Sequence, residues 1–244
     1  MMDILRIDTA DSTNTWLTQH EKEIAETVLV YCDCQTAGRG QRGNSWESEP
    51  GKNITASIIF HPKDFPANLQ FRISEAVSLA IIDFLKHYGV EAKIKWPNDV
   101  YVGDKKICGI LVEHVVTGMN ISRCIAGIGI NINQKKFKSD APNPVSLIQL
   151  TGKENDIHEG VKLLGKCLEK NIISLGTEVD SIFHSEFISS LWRKDNKYHS
   201  FKDRKKDEII EAYILDVGPD GFLTLVKKDG ERRKYAFKEV EYIL

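Results

Sequence analysis

The sequence of 244 residues has no apolar run that approaches the ~20 residues of a membrane-spanning helix. Its first residues, MMDILRID, also lack the basic segment and long apolar stretch of a secretory signal. The five cysteines are an odd number and lie mostly inside apolar runs, which favours reduced, buried thiols over a disulfide framework. We therefore expect a cytoplasmic protein with no membrane partner.

Neither sign of charge is in large excess, because 33 Lys and Arg residues face 35 Asp and Glu residues, for a net charge of −2. A nucleic-acid-binding module would show a basic net charge and aromatic side chains interleaved with its basic residues. The basic stretch at 193–207 holds only Tyr198 and Phe201 as aromatics. We expect no DNA partner, and we interpret this stretch as a solvated linker, with contact to an acidic partner as the alternative.

The apolar patterns predict two parts with different secondary structure. The first part, 1–192, is a mixed α/β domain in which strands alternate with helices. Its predicted helices span 15–25, 69–88, 157–175 and 179–192, and the pattern at 69–88 is the clearest. The last part, 208–244, has short strands separated by turns, which is typical of a small β-barrel or SH3-like module. Its predicted strands span 208–217, 222–227 and 234–237.

A loop rich in glycine and arginine lies between two predicted strands and reads TAGRGQRGNSWESEPGKN over residues 36–53. Gly38, Gly40 and Gly43 allow positive φ and a close approach of the backbone to a ligand. Arg39 and Arg42 add planar cations that suit a carboxylate or a phosphate. The loop is not a P-loop, because no Gly-Lys-Ser/Thr follows. We interpret it as an anion clamp that orders on binding, with a solvated hairpin loop as the alternative.

Two further stretches point to the same kind of site. The segment KWPND at 95–99 precedes a predicted hairpin, which would bring the Asp99 carboxylate and the Lys106 amine to one site. The alternative is an Asn-Asp turn and a surface lysine. In AGIGININ at 126–133, two glycines interrupt a strand. They either leave room for a flat or slender ligand or serve packing.

Together these segments resemble the biotin–protein ligases, and their order and spacing match that family's catalytic domain over 1–192. The segments that carry the resemblance are Asp11-Ser12-Thr13-Asn14, Gln35-Thr36-Ala37-Gly38-Arg39-Gly40, Lys95-Trp96-Pro97-Asn98-Asp99, Lys106 with Gly109-Ile110-Leu111-Val112-Glu113, and Gly129-Ile130-Asn131. The β-rich tail looks like the family's C-terminal SH3-like domain. The chain starts at the catalytic domain, so it resembles the monofunctional class without an N-terminal DNA-binding domain.

The resemblance implies an α+β fold, in which a mixed β-sheet is packed with helices as in class II synthetases, plus a small C-terminal SH3-like β-barrel. Residues 1–192 would form a catalytic domain that binds biotin and ATP. It also implies an ATP-dependent ligase that forms biotinyl-5′-AMP and transfers biotin to a lysine of a biotin carboxyl carrier protein. Mg²⁺ would enter on the ATP phosphates, and a monomer and a homodimer both remain open.

The resemblance also assigns roles to residues. The catalytic residues would be Arg39, Lys106 and Asp99. Biotin would be bound by Ser12, Thr13, Asn14, Gln35, Gly38, Arg39, Lys106, Gly109, Leu111 and Gly129. ATP or the adenylate would be bound by Arg39, Gly40, Arg42, Trp46, Asn98 and Asn131, with Trp46 packing over the ligand when the loop orders. Gln41 and Asn44 stand where many members carry a basic residue, so we expect weaker retention of the adenylate.

The alternative within the same superfamily is a ligase or transferase that acts on lipoate or octanoate. Those proteins usually show an arginine-rich, triple-glycine stretch. Here the Gly-Arg-Gly loop occurs together with Lys-Trp-Pro-Asn-Asp, and this combination favours biotin.

Overall fold

A computed structural model describes residues 2–138, 143–173, 175 and 180–243, with the backbone alone described at 42, 173 and 180–182. The described chain forms two β-sheets, and helices lie against the larger one. Within those ranges, no helix is both long enough and apolar enough to cross a membrane.

The larger sheet has eight strands. They are β1 (Asp3–Ala10), β2 (Val28–Gln35), β3 (Ile54–Phe60), β4 (Phe65–Pro66), β5 (Lys93–Lys95), β6 (Asp99–Val102), β7 (Lys105–Thr117) and β8 (Asn120–Ile130). Their order is β1-β2-β3-β8-β7-β6-β5, and β4 pairs with β8. Strands β1 and β2 are parallel and the other pairs are antiparallel, so the sheet is mixed.

In the described part of the chain, five α-helices accompany this sheet: α1 (Thr13–His20), α2 (Phe71–Lys86), α3 (Leu147–Thr151), α4 (Ile157–Ile173) and α5 (Asp180–Ser189). Helix α2 buries Ile73, Val77, Ile81 and Phe84 completely, because their spacing of three or four residues puts them on one face. Each such side chain stabilises the fold by roughly 1.5–3 kcal/mol. This face meets Ile58 of β3 in the main apolar cluster.

The C-terminal module, which we define as residues 193–243, holds the second sheet. Its strands are β9 (His199–Asp203), β10 (Glu208–Val217), β11 (Leu223–Lys227), β12 (Arg232–Tyr235) and β13 (Val240–Tyr242). The strand order is β12-β11-β10-β9-β13, and all pairs are antiparallel. A small five-stranded antiparallel sheet is consistent with the SH3-like module that the sequence predicts.

The structure differs from the predicted linker at 193–207, because β9 lies inside that segment. Phe201 and Asp203 are completely buried there. The Asp203 carboxylate accepts hydrogen bonds from Arg233 at 2.6 Å and from the Tyr235 hydroxyl at 3.1 Å. Because lysines and arginines surround these two residues, the sequence does not show the alternation of apolar and polar residues that is typical of a strand.

The two sheets share an apolar contact around Trp96. The Trp96 indole N–H donates a hydrogen bond to the Gly221 carbonyl at 3.0 Å, and the Phe237 ring lies edge-on to Trp96 at 5.3 Å. Phe71 of α2 packs against Phe237 at 6.1 Å. The C-terminal module is therefore fixed against the segment that carries Asn98 and Asp99.

Candidate active site

A cleft of about 730 Å³ gathers most of the residues that the sequence analysis selects. Its size falls in the range of roughly 300–1,000 Å³ that is usual for small-molecule sites. The predicted site residues that line it are Ser12, Thr13, Asn14, Gln35, Arg39, Gly40, Trp46, Asn98, Asp99, Lys106, Gly109, Leu111 and Gly129. They come together because β2, β3, β8, β7 and β6 are successive neighbours in the sheet.

The start of α1 forms a polar end of the cleft. The Ser12 hydroxyl accepts a hydrogen bond from the Thr15 N–H at 3.2 Å, which satisfies one of the unpaired donors at the helix start. The Thr13 N–H donates to Gln35 Oε1 at 2.8 Å. The Thr13 hydroxyl contacts the Ser57 hydroxyl at 2.5 Å, and Ser57 donates to Asn14 Oδ1 at 2.6 Å. These mutual bonds hold donors and acceptors in fixed positions.

Gly127 makes room for this network. A Cβ atom at position 127 would lie 2.3 Å from Asn14 Oδ1. Asn14 can therefore lie against β8 only because residue 127 has no side chain. Ser57, which is completely buried on β3, was not selected from the sequence. No local pattern singles out one serine within an apolar strand.

Arg39 forms an ion pair across the cleft with Glu113 of β7. Its Nη2 lies 2.6 Å from Glu113 Oε1, and its Nη1 donates to the Thr15 hydroxyl at 3.4 Å. Glu113 Oε2 accepts a second hydrogen bond from Asn14 at 2.7 Å. Glu113 thus links the glycine-rich loop to α1. The sequence analysis includes Glu113 in a matching segment but assigns it no role.

Lys106 and Asp99 form the second ion pair of the cleft, with 2.6 Å between Nζ and Oδ1. Strands β6 and β7 pair Asp99 with Gly109, and a register shift between Val100 and Tyr101 lies on this hairpin. The Asn98 amide donates to the Ile110 carbonyl at 2.7 Å and fixes the strand end beside the pair. Arg39 and Lys106 are therefore both paired with carboxylates in this structure.

Lys95, the first residue of the KWPND segment, lies beside this hairpin among aromatic rings. Its Nζ is 4.7 Å from the centre of the Tyr101 ring and 5.4 Å from that of Tyr242, and it donates to the Tyr101 hydroxyl at 3.0 Å. Burial lowers the pKa of Lys95, and the Asp99 carboxylate partly offsets that effect. This cation–π packing stabilises the position of the KWPND segment.

The Trp46 indole lies on two paired glycines. Gly109 of β7 is the register partner of Gly129 of β8. A Cβ atom would lie 2.9 Å from the Trp46 ring at position 109 and 2.3 Å from it at position 129. The room that the glycines leave is thus filled by a flat group of the protein itself. Among the described residues, the buried Trp46 Nε1 has no hydrogen-bond partner.

Three predicted site residues do not line the cleft in the described part of the chain. Gly38 belongs to the loop, and its carbonyl accepts a hydrogen bond from the Trp46 N–H at 2.9 Å. Asn131 is buried beside the segment that precedes α3, and its amide donates to the Val145 carbonyl at 3.1 Å. The side chain of Arg42 lies outside the described residues.

Other residues of the lining were not selected as site residues. They are Gln41, Gly43, Asn44, Ser45, Ala56, Ile110, Gly127, Ile128 and Lys238. Gln41 and Asn44 add polar groups without charge. Lys238 comes from the C-terminal module, and its place in the sequence carries no signal for a site.

Among the described residues of this cleft, carboxylate and imidazole side chains do not form the cluster that a preformed metal site needs. Across the residues that the structure describes, no group of three or more His, Cys, Asp or Glu side chains could hold a metal ion. Both carboxylates described above, Glu113 and Asp99, already pair with cations. A metal ion would therefore depend on oxygen ligands from a substrate.

The model of the biotin/lipoate A/B protein ligase family matches residues 7–133, more than half of the chain. The chain belongs to the biotin/lipoate A/B protein ligase family. Within this ligase family, the bifunctional ligase/repressor BirA of Salmonella typhimurium is 31% identical over 226 residues, which cover 90% of this chain and 68% of that protein. BirA of Bacillus spizizenii is 33% identical over 167 residues, and the chain spans half the length of this relative.

A solved structure of a ligase has the same fold. The biotin protein ligase from Aquifex aeolicus in complex with biotin and ATP is 22% identical, with a TM-score of 0.77 and both chains covered completely. The predicted α+β fold, a mixed sheet packed with helices plus a small C-terminal β module, is confirmed by this likeness.

Proposed function

We propose that this protein is an ATP-dependent biotin ligase that makes biotinyl-5′-AMP and transfers biotin to a lysine of a biotin carboxyl carrier protein. Membership of the ligase family, the name of the Salmonella relative and the ligands of the Aquifex structure support this proposal. The observation that carries it is the convergence of Arg39 and Lys106, from a loop and a neighbouring hairpin, on one cleft.

The first half-reaction brings two anions together. A carboxylate oxygen of biotin attacks the α-phosphorus of ATP, and the bond to the leaving pyrophosphate breaks. Arg39 and Lys106 would exchange Glu113 and Asp99 for the reacting anions and so reduce the repulsion between them. Both cations already lie in the cleft and need only change partners, whereas the Trp46 indole would have to leave Gly109 and Gly129 for biotin to lie there.

The ends of the cleft suit different parts of the ligands. Biotin would lie along the α1 end, with Ser12, Thr13, Asn14 and Gln35 bonding its polar groups and Gly109, Leu111 and Gly129 beneath it. The adenylate would lie under the loop, next to Gly40, Arg42, Trp46 and Asn98. Gly38 would hold the loop together through its hydrogen bond with the Trp46 N–H.

Asn131 would act through Oδ1, which is buried and has no partner among the described residues. An unpaired buried acceptor costs roughly 1–3 kcal/mol, which a ligand donor would recover. Since a carbonyl oxygen only accepts, it suits the amino group of adenine or Mg²⁺ and not a phosphate oxygen. We propose that Mg²⁺ enters on the ATP phosphates, as part of the substrate.

The second half-reaction needs a neutral lysine. Once Lys106 has moved to the phosphate, the Asp99 carboxylate is free to accept a proton from the incoming lysine ammonium. The neutral amine then attacks the acyl carbon of biotinyl-AMP, and AMP leaves with the electron pair of the broken C–O bond. A closed loop would exclude water, which would otherwise hydrolyse the adenylate.

The test is incubation with biotin and MgATP, followed by mass-spectrometric detection of biotinyl-AMP and measurement of biotin-dependent pyrophosphate exchange. Lipoate and octanoate are run in parallel, and exchange with them alone would assign the protein to the lipoate branch. No exchange with any of the acids would overturn the proposal. Transfer is read as the mass gain of a biotin carboxyl carrier domain.

Arg39→Ala provides the residue-level test. It should raise the apparent KM for biotin and for ATP together, because both anions meet at this guanidinium. Arg6→Ala is the matched control, since Arg6 forms a comparable ion pair with Asp33 at 2.5 Å outside the cleft lining. An unchanged KM for both substrates would remove Arg39 from the clamp.

A further inference from the structure

The centre of the glycine-rich loop is a small hairpin, residues 38–46, which we call the flap. The Gly38 carbonyl accepts a hydrogen bond from the Trp46 N–H at 2.9 Å and closes the flap at its base. Inside it, Arg39 and Ser45 face each other as an isolated antiparallel bridge. Because these contacts join the two arms of the flap, Arg39 and Trp46 belong to one unit.

Both ends of the flap are bonded to other parts of the domain. On the amino side, the Ala37 N–H donates to the Asp11 carbonyl at 2.9 Å. On the carboxyl side, the Glu47 carboxylate accepts from the Gln134 amide at 3.0 Å and from the Lys138 N–H at 2.9 and 3.0 Å. The flap therefore lies between two fixed residues, Ala37 and Glu47.

Gln134 is the centre of the bonds on the carboxyl side. Its Oε1 accepts from the Glu49 N–H at 2.9 Å and from the Asn53 amide at 2.6 Å. Its Nε2 donates to Glu47 and, at 2.9 Å, to the Lys136 carbonyl. These four bonds use both donors and both lone pairs of the amide, and the side chain is only 2% exposed. Gln134 itself lies outside the cleft lining.

This anchor matters because the Trp46 indole has to move. It lies on Gly109 and Gly129, which biotin would cover. Trp46 directly precedes the fixed Glu47, so the indole can move by rotation of the flap while the rest of the loop stays in place. If Glu47 were released, more of the backbone would have to be ordered each time the flap closes. Ordering one backbone residue lowers a closing equilibrium by roughly tenfold.

We propose that Gln134 is a positioning residue that acts through Glu47, fixes the carboxyl end of the flap and so controls how long the enzyme retains biotinyl-AMP. This inference rests on the proposed function, because it names a residue that governs the lifetime of the bound intermediate. Gln134 touches neither ligand and takes part in no covalent step.

The test is Gln134→Glu, which keeps the size of the side chain and its two accepted hydrogen bonds. It removes both N–H donors and turns a carboxylate oxygen toward Glu47. Enzyme that carries radiolabelled biotinyl-AMP is isolated, excess unlabelled biotin and MgATP are added, and release of the label is followed. Release should be about tenfold faster than in the wild type.

A rescue variant identifies the bond responsible. In the double variant Gln134→Glu/Glu47→Gln, position 47 donates the hydrogen bond that position 134 has lost. Release from the double variant should therefore equal release from Glu47→Gln alone. If Gln134→Glu accelerates release equally in both backgrounds, Gln134 does not act through Glu47 and the inference is wrong.

Gln149→Glu is the matched control. Gln149 Oε1 accepts from the Ser146 N–H at 2.9 Å, and its Nε2 donates to the Lys135 carbonyl at 3.1 Å, so the substitution removes a similar donor outside the cleft lining. This variant should release biotinyl-AMP at the wild-type rate. Urea unfolding of every variant separates lost stability from lost retention, and a lower urea midpoint of Gln134→Glu with wild-type release would overturn the inference.

Glu47→Ala removes the same bond from the side of the half-buried Glu47, and so keeps the inference testable if Gln134→Glu does not fold. It should also accelerate release about tenfold, and unchanged release would contradict the inference. When the wild type makes biotinyl-AMP and these variants retain it normally, the inference alone fails. Absence of biotinyl-AMP in the wild type refutes the proposed function and this inference with it.

Discussion

Replacement of Gly129 with alanine tests the contact between the glycine-rich loop and the sheet. The added Cβ atom would lie 2.3 Å from Trp46 Cε2, whereas ordinary contact begins at 3.4 Å, so the two must separate by about 1 Å. Strand β8 cannot retreat, because it pairs with β3 at Thr55 and with β7 at Gly109. The indole and its loop must therefore move.

Gly129→Ala should affect stability less than it affects adenylate formation. Overfilling a rigid core costs about 1–3 kcal/mol. Trp46 sits on a loop, so we expect a loss near the lower end, about 1 kcal/mol, in urea unfolding. Adenylate formation should fall at least tenfold, because a displacement of about 1 Å in a reacting site can cost about 100-fold in rate.

A double-mutant cycle identifies the cause. In a Trp46→Ala background, Gly129→Ala should cost no further free energy of unfolding, since the clashing ring is gone. Gly127→Ala is the matched control on the same strand: its Cβ atom would meet Asn14 and not Trp46, so Trp46→Ala should not relieve it. If Gly129→Ala costs as much free energy of unfolding without the indole as with it, the reasoning from this contact is wrong.

Two more predictions concern the ion pairs. Lys106→Met should lower biotinyl-AMP formation at least about 100-fold. The free energy of unfolding should change by less than about 1 kcal/mol, since the ion pair with Asp99 is partly exposed. Pyrophosphate exchange at the wild-type rate would contradict this prediction. Burial alone would raise the pKa of Asp203, but backbone N–H groups, Tyr235 and Arg233 lower it below its usual value. The resulting stabilisation is present above the unfolded-state pKa and is lost as pH falls through the folded pKa. Asp203→Asn should therefore lower the free energy of unfolding by about 3 kcal/mol at pH 7 and by progressively less below pH ~4. Urea unfolding in which wild type and variant differ by the same free energy at every pH would refute this.

Local periodicity was enough to predict the long elements of the fold. The helix expected at 69–88 is α2 (Phe71–Lys86), because its apolar spacing is strong over several turns. Helix α3 (Leu147–Thr151) was missed, since five residues held by a capping box at Ser146 show no period. Strand β13 (Val240–Tyr242) was missed because three residues pair only through their partner strand.

The site was predictable where its segments lie on neighbouring strands, because motifs at strand ends meet in the sheet. Contacts between distant residues were not. Arg39 and Glu113 are 74 positions apart, and no local pattern pairs them. The glycines of β7 and β8 indicated room for a flat group, but the sequence could not say that Trp46 fills it. Lys238 reaches the cleft only because Phe237 docks on Trp96.

The hydrogen bond from Trp96 to Gly221 makes the ligase core and the C-terminal module interdependent. A chain shortened to its first 192 residues would leave that indole N–H without an acceptor and expose the rings of Phe71 and Tyr101 to water. Exchange of such modules between relatives would then succeed only when the incoming module offers a carbonyl and an aromatic ring in the places of Gly221 and Phe237.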